Sequence, residues 1–176
     1  MARLSYVTHP SSTPSEAARL LLEYRRGEVL NLDRTLLHSP PIAGAWPTFS
    51  GAIRRESVLD GQIRELAILR VGHLNRSVYE FEHHVPAALR EGMSQEKVNA
   101  ITRGPDDPLF DDRERAVLRY TDHVTRDVQV PDAAFQAVRP YFDERGMVEL
   151  TALIAFYNMV TRILVPLQVD MEEGGH

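Results

Sequence analysis

The chain contains no cysteine. This absence excludes disulfides, thiolate metal sites and thiol redox catalysis. Lysine is scarce too: of the 20 basic residues only Lys97 is lysine, and the others are arginine. Positive charge is not in excess. The 20 Lys and Arg face 25 Asp and Glu, for a net charge of -5, which argues against nucleic acid or an anionic membrane as partner. No apolar run reads as a membrane span, because the most apolar segment, Met147–Val165, is broken by Glu149, Asn158 and Arg162. The opening residues, MARLSYVTHPSSTPSE, lack the apolar stretch of a secretory signal, so a cytoplasmic location is expected. Glycine-rich phosphate loops, the Gly-x-Ser-x-Gly elbow and the His-Glu-x-x-His zinc motif are absent. No sustained period-two alternation marks a strand.

What is present is helical signal. At 176 residues and 43% hydrophobic, the chain is expected to form a single domain over 1–176 with one core. Thr13, Pro14 and Glu16 read as a capping-box start for a first helix that stops near Gly27. A second helix is expected over Glu28–Leu37. Ser39–Pro47, with three prolines, reads as a loop, followed by a short helix over Thr48–Glu56. Asp60 caps a central apolar helix to about Asn75. Ser77 opens the next helix, which ends at Gly92, and Ser94 opens another ending at Gly104. Helices from Asp111 or Asp112 and over Asp132–Val138 follow. Gly146 precedes a long apolar helix over Met147–Leu164. The tail, 170–176, reads as frayed. The architecture expected is an all-α, multi-helix bundle.

The segment RELAILRVGHLNRSVYEFEHHVPAALREGMS, from Arg64, concentrates the candidate chemistry. Ser77, Glu80 and His84 are spaced i, i+3 and i+7 and share one helix face. A carboxylate one turn before a histidine orients one imidazole nitrogen and leaves the other free for proton transfer. Glu65 sits on a mostly apolar strip, where burial would raise its pKa. Each residue has a plainer explanation. Ser77 and Glu80 fit a helix capping box, Glu80 and His84 a surface pair, and Glu65 an ion pair with Arg64. Pro86, inside the same helix, predicts a kink just after His84. Glu80-Phe81-Glu82-His83 matches the Glu-x-x-His of di-iron helices, but no second copy is found on another expected helix. His73, His83 and His84 form the alternative, metal-binding reading; the primary reading has no metal and no cofactor.

These residues resemble the core motif of the carboxymuconolactone decarboxylase and alkylhydroperoxidase D superfamily. The resemblance is close over 63–101, within a core motif of about 60–104, and extends more weakly to FYNMVTRILVPLQV. It implies an all-α fold and a homo-oligomer, as a trimer or hexamer with a dimer as a further option. In the peroxidase branch the motif is a glutamate, then Cys-x-x-Cys, then a histidine four residues on. The glutamate falls on Glu65, the cysteines on Ser77 and Glu80, and the histidine on His84. The chain keeps the ends of a proton relay and lacks both sulfurs, so the peroxiredoxin-type cycle of the family label cannot operate. The Tyr79-to-His84 run resembles a cysteine-less subgroup. The expectation is a cofactor-free lyase of the decarboxylase type acting on a small anionic or lactone substrate. Glu65, Glu80 and His84 would be catalytic, with Ser77, His83 and Tyr79 in support, and Arg70 or Arg162 as a cationic anchor. A non-catalytic oligomeric binder is the alternative.

Overall fold

The computed structural model describes residues 1–8 and 15–172. Among them are nine α-helices and no strand, so the all-α fold expected from the sequence is the fold observed. The chain divides into two compact units, Met1–Glu56 with Leu164–His176, and Ser57–Ile163.

The first unit holds α1 (Glu16–Arg25), α2 (Asn31–Leu36) and α3 (Pro40–Arg55). Thr13 and Pro14, expected to start α1, lie outside the described residues; Ser15 is the cap, its hydroxyl accepting the Ala18 N–H at 3.1 Å. α2 is shorter than expected because Asp33, fully buried, accepts the Leu30 N–H and pairs with Arg25 at 2.8 Å, fixing the start of the helix at Asn31. The loop expected at Ser39–Pro47 is instead part of α3. Pro40 and Pro41 occupy the first helical positions, where the missing N–H would have had no partner. Pro47 lies inside and forgoes one backbone bond, but buried Ala43, Trp46 and Ile53 hold the helix to its neighbours. The described part of the tail is tied down rather than frayed. Asp170 accepts the Ala2 N–H at 2.8 Å and donates its own N–H to the Tyr6 hydroxyl at 2.8 Å. Residues 173–176 lie outside the described set.

The second unit is built on α4 (Gly61–Leu74), with α5 (Val78–Arg90), α6 (Gln95–Arg103), α7 (Asp112–Arg126), α8 (Asp132–Val138) and most of α9 (Glu144–Leu167). Asp60 caps α4 by accepting the Ile63 N–H at 2.9 Å. Leu66, Leu69 and Val71 are fully buried, as expected for a central helix that packs against α5, α6 and α7. Gly72 permits the approach to α5. A Cβ there would stand 3.3 Å from the Phe81 amide nitrogen. Arg70, 4% exposed, forks onto Asp122 of α7 at 2.6 and 2.8 Å and donates to the Ile101 carbonyl of α6 at 2.6 Å. Asn75 donates to Asn158 and Thr161 of α9 at 2.9 and 2.8 Å.

α9 starts at Glu144, earlier than expected, because the Asp143 carboxylate accepts the Gly146 N–H at 2.7 Å. By length and composition α9 is apolar enough to cross a membrane, which corrects the sequence-based reading that its polar interruptions forbid it. Burial accounts for much of that apolarity: Leu150, Leu153, Ile154, Tyr157 and Val160 are core residues. α5 runs unbroken from Val78 to Arg90 through Pro86.

Removing Arg70 would strand the Asp122 carboxylate in a largely buried position. Arg70→Met should therefore cost about 3 kcal/mol in urea unfolding, and the double variant with Asp122→Leu should recover most of it. A double variant no more stable than the single one would contradict this role for the pair.

Candidate active site

Ser77 ends the turn after α4 and caps α5. Its Oγ accepts the Glu80 N–H at 3.4 Å, and its own N–H donates to the Gly72 carbonyl at 2.9 Å. Glu80 does not return the favour, because the Ser77 amide is already used. Its carboxylate runs along the helix instead, placing Oε1 3.0 Å from Nε2 of His84. The capping explanation thus accounts for Ser77 and leaves Glu80 available. From α4, Glu65 brings Oε2 to 2.6 Å from Nδ1 of His84. The three side chains expected to act together meet, with His84 in the middle. Glu65, Glu80, His84 and Ser77 are each at most 5% exposed. Tyr157 of α9 packs against the imidazole in a T-shaped contact at 5.1 Å, and Phe156 packs in turn on Tyr157 at 5.3 Å.

This geometry fixes a proton count. A neutral imidazole has one N–H and one lone pair. With a carboxylate oxygen at each nitrogen, that lone pair would oppose another lone pair inside a buried site. The contacts are satisfied only if the triad holds a second proton, as an imidazolium between two carboxylates or as a neutral imidazole beside one carboxyl. Burial alone pushes His84 toward the neutral form, but the charge and hydrogen bond of Glu65, and then those of Glu80, outweigh it and raise its pKa above 6.5. The imidazolium is therefore the favoured form. Arg64 adds a second positive charge, with Nε 3.6 Å from Glu65 Oε1 and its outer nitrogen on Glu91 at 2.9 Å. Two carboxylates and two cations leave the cluster near neutral, which limits the penalty of burying it.

The remaining candidates fall elsewhere. The His83 ring lies in stacked contact with Tyr79, centroids 4.1 Å apart, and its Nδ1 is 2.8 Å from the Tyr79 carbonyl oxygen. Both of these contacts lie along α5. His73 is exposed, with its pKa lowered by partial burial and by the Arg70 charge. Among the described residues no three His, Asp or Glu side chains are arranged to hold a metal ion, so His73, His83 and His84 do not converge on one. Arg70 is spent on Asp122, and Arg162 donates to the Asn158 carbonyl at 3.0 Å; neither stands ready as an anchor for the triad. Arg64 is the cation beside the triad. Tyr157 was missed from the sequence because it arrives from a distant helix with no local signal.

Residues 40–123 match the model of the Carboxymuconolactone decarboxylase family. The uncharacterized protein YnjA of Escherichia coli (strain K12) is 32% identical over 77% of this chain and 76% of its own length. The chain belongs to the carboxymuconolactone decarboxylase family. Its fold is similar to that of an alkylhydroperoxidase AhpD core protein, an uncharacterized peroxidase-related protein from Ralstonia eutropha JMP134 (TM-score 0.84, 20% identity, 98% of this chain and 93% of that one). It is also similar to the debrominase Bmp8, seen in complex with 2,3,4-tribromopyrrole (TM-score 0.77, 18% identity, 98% and 91%). These likenesses carry the fold alone.

The raised pKa of His84 has a sign in stability. The folded protein holds a proton that the unfolded chain releases above 6.5, so this stabilisation is complete below 6.5 and is lost as pH rises through the higher folded value. Unfolding free energy should fall with pH across that window. Glu80→Gln, which removes one of the two charges raising the pKa, should flatten the slope. An equal slope in both proteins, measured by urea unfolding, would contradict the coupling.

Proposed function

We propose that this protein is a proton-transfer enzyme of the decarboxylase type, acting on a small anionic or lactone-type substrate. The observation that carries the reading is the His84 imidazole held between Glu65 and Glu80. The ring is held at both nitrogens and its pKa is raised, so it stores a proton that a flanking carboxylate can pass on and the ring can recover. In the reaction envisaged, the bond to the substrate carboxylate breaks, CO₂ leaves, and the electron pair passes into the conjugated lactone. The proton stored on His84 then reaches the resulting carbon through the flanking carboxylate nearest it. The proton is replaced from solvent by way of a flanking carboxylate, so one proton is consumed for each CO₂ released. Glu80 stands where the peroxidase branch has its second cysteine, so the substitution turns a redox position into a proton-holding one. Glu65 fixes the ring, Ser77 holds the start of the helix that carries Glu80, and Arg64 offsets the negative charge.

A homo-oligomer belongs to the same proposal. Val148, Ala152, Ala155 and Met159 form one face of α9, with Val148 68% and Met159 41% exposed, and such a face suits a second copy.

A second reading, a non-catalytic binder, is favoured by the Ser77 cap, which is formed and sufficient to explain that residue. The two readings separate in one experiment. The protein is incubated with a panel of carboxylated γ-lactones in D₂O, following CO₂ release and deuterium incorporation. The wild type should turn over at least one substrate with deuterium at the carbon that lost CO₂. His84→Gln should lower the rate by roughly 10² or more while circular dichroism stays native. Full activity in the variant would remove His84 from the mechanism. Inactivity of the wild type on the whole panel, with Glu80→Gln changing only stability, would favour the binder.

A further inference from the structure

The triad occupies one side of α5, and a different feature occupies the other. Val78, Phe81 and Glu82, spaced i, i+3 and i+4, line a cavity of about 300 Å³ with Gly72 and His73 of α4, Arg76 of the α4–α5 connection and Thr102 of α6. Glu65, Glu80 and His84 do not line it. Ser77 does, and it is the one residue common to the cavity and the relay. The volume is at the lower end of what small-molecule sites enclose.

The chemistry of the wall is specific. Gly72, Val78 and Phe81 give it apolar surface. The Arg76 guanidinium has no hydrogen bond or ion pair among the described residues, although nearly every other arginine near it is engaged. Ser77 is 3% exposed; its oxygen accepts from Glu80, while its hydroxyl proton has no acceptor among the described residues. A buried hydroxyl with an unspent proton is costly unless a ligand or water takes it. The amino end of α5 contributes the same positive sign. Arg76 and Glu82, both on the rim, are exposed to solvent, so both charges are screened and the buried Ser77 hydroxyl is the less screened polar group of the wall. His73, its pKa lowered, adds no full charge at neutral pH.

We infer that this cavity is a second ligand site, distinct from the relay, which takes a small, largely apolar monocarboxylate. The carboxylate sits between Arg76 and the Ser77 hydroxyl, and the apolar body lies against Val78 and Phe81. Ser77 links the site to the relay, because the oxygen that would donate to the ligand also holds the Glu80 amide. The inference does not depend on the proposed reaction, and its test involves no turnover.

The test uses benzoate as probe and two-dimensional amide NMR of the intact protein. Benzoate should produce saturable shifts at Val78, Phe81 and Thr102 with a Kd on the order of 1 mM. It should also shift the His84 ring signals, by way of Ser77 and the Glu80 amide it holds. Arg76→Gly removes the guanidinium at a residue whose φ of 55° suits glycine, so the fold is retained. That variant should weaken benzoate at least tenfold, and Arg76→Lys should restore part of the loss. Absence of saturable shifts, or unchanged affinity in Arg76→Gly, would overturn the site. Binding with unmoved His84 signals would overturn the link to the relay.

Discussion

A histidine with a carboxylate at each ring nitrogen cannot be satisfied by one proton, and the chemistry of this protein depends on that constraint. The Glu65–His84–Glu80 triad is buried, so solvent cannot repair a mismatched lone pair. The triad must keep an additional proton in the folded state. Burial opposes the charged ring, and the two carboxylates overcome that opposition. The site is therefore a proton store whose content is set by geometry, and Arg64 keeps its total charge near neutral.

The surrounding fold serves to hold that geometry. α4 carries Glu65 and α5 carries the other two groups, so their separation decides the hydrogen bonds. Gly72 lets the helices approach, and the Ser77 amide bond to its carbonyl fixes the turn between them. Arg70 locks α4 to α6 and α7, while Asn75 ties its end to α9, from which Tyr157 presses on the imidazole. Arg70, Asn75 and His84 are each matched to named partners, which favours one arrangement over others. Within that arrangement Ser77 serves the helix start, and Glu80 serves the histidine.

Much of this was legible in the sequence, and the failures have physical causes. Helix caps at Asp60, Ser77, Ser94 and Asp111 were readable because a short polar side chain before an apolar-periodic run has a local signature. The spacing of Ser77, Glu80 and His84 placed them on one face before any coordinates. That Glu80 would choose His84 over the Ser77 amide was not readable, because the choice turns on Gly72, five residues upstream, taking that amide first. Pro40, Pro41 and Pro47 suggested a loop, yet the first two occupy positions where a helix tolerates them and the third is carried by packing. Arg70 and Arg162 looked equally free as anchors; only tertiary contacts show that both are committed. The Glu65–Arg64 pair was readable from adjacency, whereas Tyr157 and the cavity beside Arg76 depend on contacts between segments, to which local pattern is blind.

The most direct test is a count of the protons on His84. Long-range ¹H–¹⁵N spectra of the intact protein at neutral pH distinguish an imidazolium from either neutral tautomer. Both nitrogens of His84 should carry hydrogen, with both shifts in the protonated range and two strongly downfield N–H signals. A single N–H, with the other nitrogen showing the shift of an unprotonated ring, would contradict it.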